Sequence, residues 1–379
     1  MRKTQVLRNY IDKNQEICYY KYMDKRLDKD FNEERNKKCI LKTREIMREL
    51  PSWFSDFVRA CEIDKTRLTI LNYAYDTKVF LTYLSSENPM CIGIPVKDIS
   101  TSMLDKLNLT DFERYVEYLG FYLTKDDKEH FNEEKSKARK IASLRSLFKY
   151  LYKKQLIKDN PTELLTTPKL HDKVIIRLEP NEVVRLINTV RNGDGLSERE
   201  KKHHERYAKR DIAIIVTFLT TGMRISELVG LNIEDVDFDN MSLRITRKGG
   251  NQAFIYFDFE TYDAILDYLE ERKLRDTYNL PPLFLSSRGN RMSVEAVRVM
   301  VEKYAKIATP LKKITPHKLR STYGTMLYQG TGDIYLVADV LGHKDVNTTR
   351  KHYAAIVEDN RRNAAKVVKL MNDQNNIKE

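Results

Sequence analysis

Ser242–Phe257 reads SLRITRKGGNQAFIYF. Apolar residues alternate with polar ones on both arms: Leu243 and Ile245 before the Gly249–Gly250 pair, Ala253, Ile255 and Phe257 after it. Period-two alternation around a Gly-Gly turn predicts a β-hairpin with strands over Ser242–Thr246 and Ala253–Phe257. It is the one clear strand signal in the chain. The surrounding segments carry helical spacing, so the expected class is mainly α with a small β-hairpin or sheet.

Working outward, four short segments carry chemistry. Upstream, DIAIIVTFLTT (Asp211–Thr221) reads as a buried helix that Gly222 ends in a left-handed cap. Arg224 opens the next helix, with Glu227 three residues on and on the same face. A guanidinium fork fits two phosphate oxygens, and Glu227 can hold it still from behind. Alone, the pair is more often an ordinary helix ion pair. Lys248 sits at the hairpin tip, where an ammonium can enter a DNA groove and protonate a departing oxygen, or simply stay solvated.

Downstream, TPHKLRSTYGTMLY (Thr315–Tyr328) offers Thr315 as N-cap and Pro316 as first helical residue. His317 and Arg320 then flank a helix N-terminus, which already favours anions. In LGHKDVNTTRKHYAA (Leu341–Ala355), Gly342 ends one helix, His343 stands at the junction, and Tyr353 lies about two turns into the next. A phenol with a free pKa near ~10 needs nearby cations to act as a nucleophile. Each segment alone is weak. Together Arg224, Lys248, His317, Arg320, His343 and Tyr353 supply a nucleophile, two phosphate clamps, a general acid and two histidine donors. No carboxylate cluster for a metal accompanies them, so phosphoryl transfer driven by positioned cations is expected, with no metal.

Domain organisation follows from punctuation. Residues 1–48 read as a charged N-terminal helical extension, most simply solvated. A helical domain is expected over 49–168, with segments Trp53–Ala60, Arg67–Leu84, Asp111–Leu123 and Lys137–Gln155 separated by Pro51, Pro89, Pro95 and Pro161. In the last segment Ile141, Leu144, Leu147, Phe148 and Leu151 make a core stripe. Arg139, Lys140, Arg145, Lys149 and Lys153 surround it, as a DNA-tracking helix or a solubilising face. Asn160–Arg177 reads as a linker. The second domain spans 169–379, with Asn192–Lys209 as a polar surface insertion whose adjacent His203 and His204 are unsuited to share a metal.

The composition agrees. Among 379 residues, 67 Lys and Arg against 55 Asp and Glu give a net charge of +12, which favours an acidic partner such as nucleic acid. Cys18, Cys39, Cys61 and Cys91 form no C-x-x-C pair, so reduced cytoplasmic thiols are expected, and a nucleic-acid partner would make the setting nucleoid-associated. The first residues lack an apolar signal core, and no apolar run is long enough for a membrane span.

The motifs resemble the tyrosine recombinase (phage integrase) family, which includes lambda-type integrases, Cre and the Xer recombinases. TGMRISEL resembles the first arginine box, RKGGNQ the hairpin box and HKLR the H-x-L-R box; LGH and Tyr353 complete the family's order. Two departures stand out: Tyr353 is ten residues after His343 where many members have nine, and Ser321 stands where a second histidine is common. The resemblance implies a helical, SAM-like core-binding domain and an α+β catalytic domain with a C-terminal exchange helix near Asn360–Met371. It implies a 3′-phosphotyrosyl intermediate formed without metal or ATP, with Arg224 and Arg320 as clamps, Lys248 as acid and Tyr353 as nucleophile. Its partners would be double-stranded DNA with paired inverted half-sites and three further copies in a homo-tetramer on two sites, with accessory proteins optional. The long His–Tyr spacing favours integrase or excisionase of a mobile element; the alternative is a Xer recombinase resolving chromosome dimers. Outside that class stand a type IB topoisomerase and a catalytically inactive DNA-binding or architectural protein.

Overall fold

The structure is a computed structural model and describes residues 31–123, 129–169, 176–247, 250–274, 280–343 and 346. The chain divides into two compact units between Lys173 and Val174.

The described residues of the first unit form helices α1 (Phe31–Met47), α2 (Phe54–Cys61), α3 (Arg67–Glu87), α4 (Thr101–Leu104), α5 (Leu109–Tyr118) and α6 (Glu134–Lys153). Two short antiparallel strands, β1 (Phe121–Leu123) and β2 (Glu129–Phe131), precede α6. Thr66 caps α3 through Thr69 N–H, and Asn108 with Asp111 forms a reciprocal capping box on α5. The core is aromatic. Phe80 stacks on Phe112 at 5.6 Å, and Phe148 meets Phe112 edge-to-face at 5.0 Å. Such offset and T-shaped contacts add to the area term. All three rings are essentially solvent-free. The stripe expected on α6 is in this core: Ile141, Leu144, Leu147, Phe148 and Leu151 are all buried.

Two segments differ from expectation. The helix expected over Asp111–Leu123 ends at Tyr118, and Phe121–Leu123 pairs with Glu129–Phe131. Gly120 breaks the helix, after which Phe121 and Leu123 face solvent while Tyr122 stacks on Tyr118 and His130. The helix Phe31–Met47 is not simply solvated either. It buries Cys39, Thr43 and Ile46 and packs along α3.

In the second unit the described elements are α7 (Pro180–Asn192), α8 (Glu198–Thr221), α9 (Ile225–Gly230), β3 (Val236–Asp237), β4 (Ser242–Thr246), β5 (Gln252–Tyr256), α10 (Phe259–Lys273), α11 (Val294–Ala308), α12 (Pro316–Thr331) and α13 (Ile334–Leu341). The sheet order is β3-β4-β5, antiparallel throughout, and Leu243 opposes Ile255. The hairpin lies within one residue of its expected position. Leu243, Ile245 and Ile255 face the core, and Arg244, Phe254 and Tyr256 face solvent.

The central spine is α8, with Ile214, Ile215 and Phe218 fully buried. It packs against α7, α10 and α12. Asn192–Lys209 is not a surface insertion: α8 begins at Glu198, behind a Ser197–Glu200 capping box. His204 turns inward at 7% exposure, where its Nε2 hydrogen-bonds Val190 O at 2.8 Å. A polar stretch became half of a long helix because one face of it still packs. A buried ion pair within α8, Arg210–Asp211, is tied to α11 by the Tyr304 hydroxyl. Asp211, 0% exposed, accepts from Arg210 Nε (3.0 Å), Arg210 Nη2 (2.7 Å) and Tyr304 OH (3.0 Å). Among the described residues, no helix is long and apolar enough to cross a membrane.

Candidate active site

Two glycines build the corner that gathers Arg224, Arg320 and His343. Gly222 caps α8 with φ +60°, and Gly342 caps α13 with φ +61°, both in the left-handed region that glycine adopts without strain. A methyl group at 222 would stand 2.9 Å from Tyr323 Cε1 and 3.0 Å from Leu341 Cδ2. Gly222→Ala therefore combines backbone strain with overpacking and is expected to cost roughly 1–3 kcal/mol, read by urea denaturation. An unchanged midpoint would show that Tyr323 yields freely.

Arg224 is the N-cap of α9. Its backbone N–H donates to Glu227 Oε2 at 2.7 Å and its Nη1 to Glu227 Oε1 at 2.9 Å. Glu227 is 5% exposed, so this carboxylate clamps the guanidinium from the protein side. Arg224 Nη2 reaches across to Gly342 O at 3.0 Å, while about one third of the side chain stays exposed. Arg320 is buried on α12. Its Nη1 donates to Gly222 O at 2.7 Å and its Nη2 to Leu341 O. Two arginines from different helices thus seize consecutive carbonyls, Leu341 and Gly342. Neither could swing away without stranding a carbonyl or the Glu227 carboxylate.

His343 adjoins the same corner. The backbone N–H of His343 donates to Ala338 O at 2.9 Å, and the residue is half-buried directly after Gly342. His317 is exposed in the first turn of α12, three residues before Arg320. Thr315 and Pro316 take the N-cap and N1 positions. Ser321 Oγ donates to His317 O at 3.1 Å, so the serine found in place of a second histidine braces the local backbone. Lys248 and Tyr353 lie outside the described residues, as does Asn360–Met371. Among the described residues no group of three or more His, Cys, Asp or Glu is placed to hold a metal ion.

One residue at the corner had no sequence signal beyond its neighbour Lys248. Arg247 lies against Gly342, where a methyl group would stand 2.6 Å from the guanidinium carbon, and its Nη2 donates to Val340 O at 3.4 Å.

The five basic residues expected to track DNA separate into two sets. Arg139 forks onto the buried Asp76, with Nη2 at 2.8 Å from Oδ1, and Lys140, 8% exposed, stands 3.8 Å from the same carboxylate. Burial lowers the Lys140 pKa, with Asp76 opposing that shift. Arg145 ties down the following loop, donating to Thr162 O at 3.1 Å, Thr167 Oγ1 at 2.8 Å and Leu165 O. All three bond the protein's own groups, and Arg139 keeps about half of its side chain exposed while doing so. Lys149 and Lys153 lie exposed on α6.

Residues 176–359 match the phage integrase family. A protein named tyrosine recombinase XerC from Caldanaerobacter subterraneus subsp. tengcongensis is 34% identical over 319 residues, covering 82% of this chain and 83% of its own. The crystal structure of XerH site-specific recombinase bound to palindromic difH substrate, a post-cleavage complex, shares the fold at a TM-score of 0.61, with 20% identity and 91% of each chain covered. The Tn1549 transposon integrase, in complex with circular intermediate DNA, aligns at a TM-score of 0.59 with 18% identity, covering 83% of this chain and 98% of its own.

Proposed function

The chain belongs to the tyrosine recombinase family, and from that premise we propose that it is a Xer-type recombinase that resolves chromosome dimers through a covalent bond to Tyr353. The observation that carries the reading is the convergence of Arg224 and Arg320 on the carbonyls of Gly342 and Leu341, immediately before His343. Two fixed guanidiniums beside a half-buried imidazole make a cradle for a phosphate that gains charge in the transition state. Tyr353 loses its phenolic proton to water as its oxygen bonds phosphorus. The bond from phosphorus to the 5′-oxygen breaks, and that oxygen takes a proton from the Lys248 ammonium. His317 and His343 donate to the non-bridging oxygens. The 5′-hydroxyl of a partner strand then reverses the step, so the bond energy stays in the linkage and neither ATP nor a metal is consumed. Four copies on two sites, each with inverted half-sites, complete the exchange.

The spacing from His343 to Tyr353 favoured a mobile-element integrase. A relative 34% identical over most of both chains and named XerC supports the Xer alternative instead. To test the choice, the protein is incubated with fragmented genomic DNA of its source, stopped with SDS, and the DNA retained on protein is sequenced. Enrichment of one chromosomal site is expected. Enrichment at the ends of an element would return the integrase reading. DNA binding without any adduct would make the chain an inactive binding module.

On α6, Lys149 and Lys153 are proposed to contact phosphates, while Arg139, Lys140 and Arg145 act through folding. Replacing both lysines by alanine is expected to reduce the slope of log K against log [salt] by about 2, because each phosphate contact releases roughly 0.9 counterion. Fluorescence anisotropy on a generic duplex between low and physiological salt reads this. An unchanged slope would move the contact to another face.

A further inference from the structure

Arg247 is neither a phosphate clamp nor the general acid. It precedes the hairpin turn, and its backbone is fixed on both sides: its N–H donates to Asn251 O at 2.8 Å and its carbonyl accepts from Gly250 N–H at 3.1 Å. Lys248 and Gly249 are the only residues between those two bonded positions. Its side chain leaves the hairpin and lies on Gly342, where any Cβ would overlap it. Nη2 donates to Val340 O at 3.4 Å. Nε is sealed from solvent and has no hydrogen-bond partner among the described residues.

A solvated arginine would keep Nε in water, and one selected for packing would satisfy it. This guanidinium is instead held at the corner that Arg224 and Arg320 also occupy. The carbonyls of Val340, Leu341 and Gly342 each receive one arginine, from the hairpin, α12 and the start of α9 respectively.

We propose that Arg247 is a positioning residue that anchors the base of the hairpin to the 340–342 corner and so sets the reach of the Lys248 ammonium to the departing 5′-oxygen. This rests on the reading of Lys248 as general acid. Without the anchor, the hairpin arms remain paired but their base is no longer registered against the phosphate clamps. The defect should therefore appear in leaving-group protonation alone.

That step can be isolated chemically. A duplex carrying the crossover sequence recovered from the adduct is made in two forms, one with oxygen and one with sulfur at the bridging 5′ position of the scissile phosphate. A thiolate leaves without protonation, so the sulfur duplex makes a general acid unnecessary. Arg247→Ala is expected to slow adduct formation on the oxygen duplex about 10- to 100-fold, a partial loss against the roughly 100- to 10,000-fold that a general acid supplies. On the sulfur duplex it should return to within about threefold of the wild-type rate, since no acid is then required. Lys248→Ala should show the same rescue after a larger loss, and Arg224→Ala should show none. Rescue also proves that the variant is folded.

If Lys248→Ala is rescued but Arg247→Ala stays slow on both duplexes, Arg247 acts on the phosphate or the fold and the proposal fails alone. An Arg247→Ala rate equal to wild type on oxygen sinks it as well. If Lys248→Ala is not rescued, the general-acid reading fails and carries this proposal with it.

Discussion

Tyr353→Phe should give no SDS-stable DNA adduct at any incubation time, with DNA binding retained. The substitution removes one oxygen, and the covalent reaction is assigned to that oxygen alone. Arg224→Ala should behave differently, forming the same adduct about 100- to 1,000-fold more slowly, the usual cost of one preorganised donor to a developing oxyanion. The structure says why Arg224 is preorganised. Glu227 holds one edge of its guanidinium at 2.9 Å, Gly342 O takes another N–H at 3.0 Å, and a third of the side chain faces outward. Arg224→Lys keeps the charge but loses the fork, so it should recover little of the rate. A time course of adduct formation on one duplex separates the variants. Undiminished adduct from Tyr353→Phe would move the nucleophile elsewhere, with the segment around His352 first to be searched. A loss below tenfold in Arg224→Ala would remove it from the phosphate.

The largest effect on stability is expected at Asp211. Its carboxylate is fully buried and takes three hydrogen bonds, two from Arg210 and one from Tyr304. Burial, with the Asp211 charge adding to it, pushes the Tyr304 phenol far above the ordinary tyrosine range, so it remains a donor. Arg210, 4% exposed, also donates to Leu285 O at 2.9 Å. Asp211→Ala leaves that guanidinium buried without its counter-charge, and breaking such a pair costs about 3–5 kcal/mol. Replacing Arg210 and Asp211 together by apolar residues of similar volume should recover much of the loss, because no stranded charge remains. Urea denaturation of the single and double variants checks both statements. A loss under about 1 kcal/mol in Asp211→Ala would mean that the site floods with water or relaxes.

The parts of this fold that local sequence determines were legible. Alternation places β4 on its observed residues and β5 one residue off, because side-chain period and a Gly-Gly turn suffice for a hairpin. Gly222, Gly342 and Thr315 could be assigned to helix ends because caps are local, and the ends carry Arg224, His343 and His317. What could not be read depends on partners distant in sequence. Arg139 and Arg145 share their helix with Lys149, yet point to Asp76, 63 residues away, and to Thr162, Leu165 and Thr167. Nothing in KARKIASLRSLFKYLYKKQ tells which of its cations bond the chain's own groups and which do not. His204 was equally opaque, since its partner Val190 O is a backbone atom on another helix. Arg247 belongs to the same class: its meaning lies in a glycine 95 residues on (342 − 247 = 95).

The corner at residues 340–342 also bears on electrostatics before any DNA arrives. Cations gathered for a phosphate repel one another, and a protein that assembled them only on binding would spend part of its affinity doing so. Here each of Arg224, Arg320 and Arg247 faces a carbonyl at the C-terminal end of α13, where the peptide dipoles sum to roughly half a negative charge. The helix end serves as a resident counter-charge that holds the three arginines together. On the proposed reading, an arriving phosphate would meet dipoles and charges that need little rearrangement, and a chain lacking α13 would have to find that counter-charge in the DNA itself.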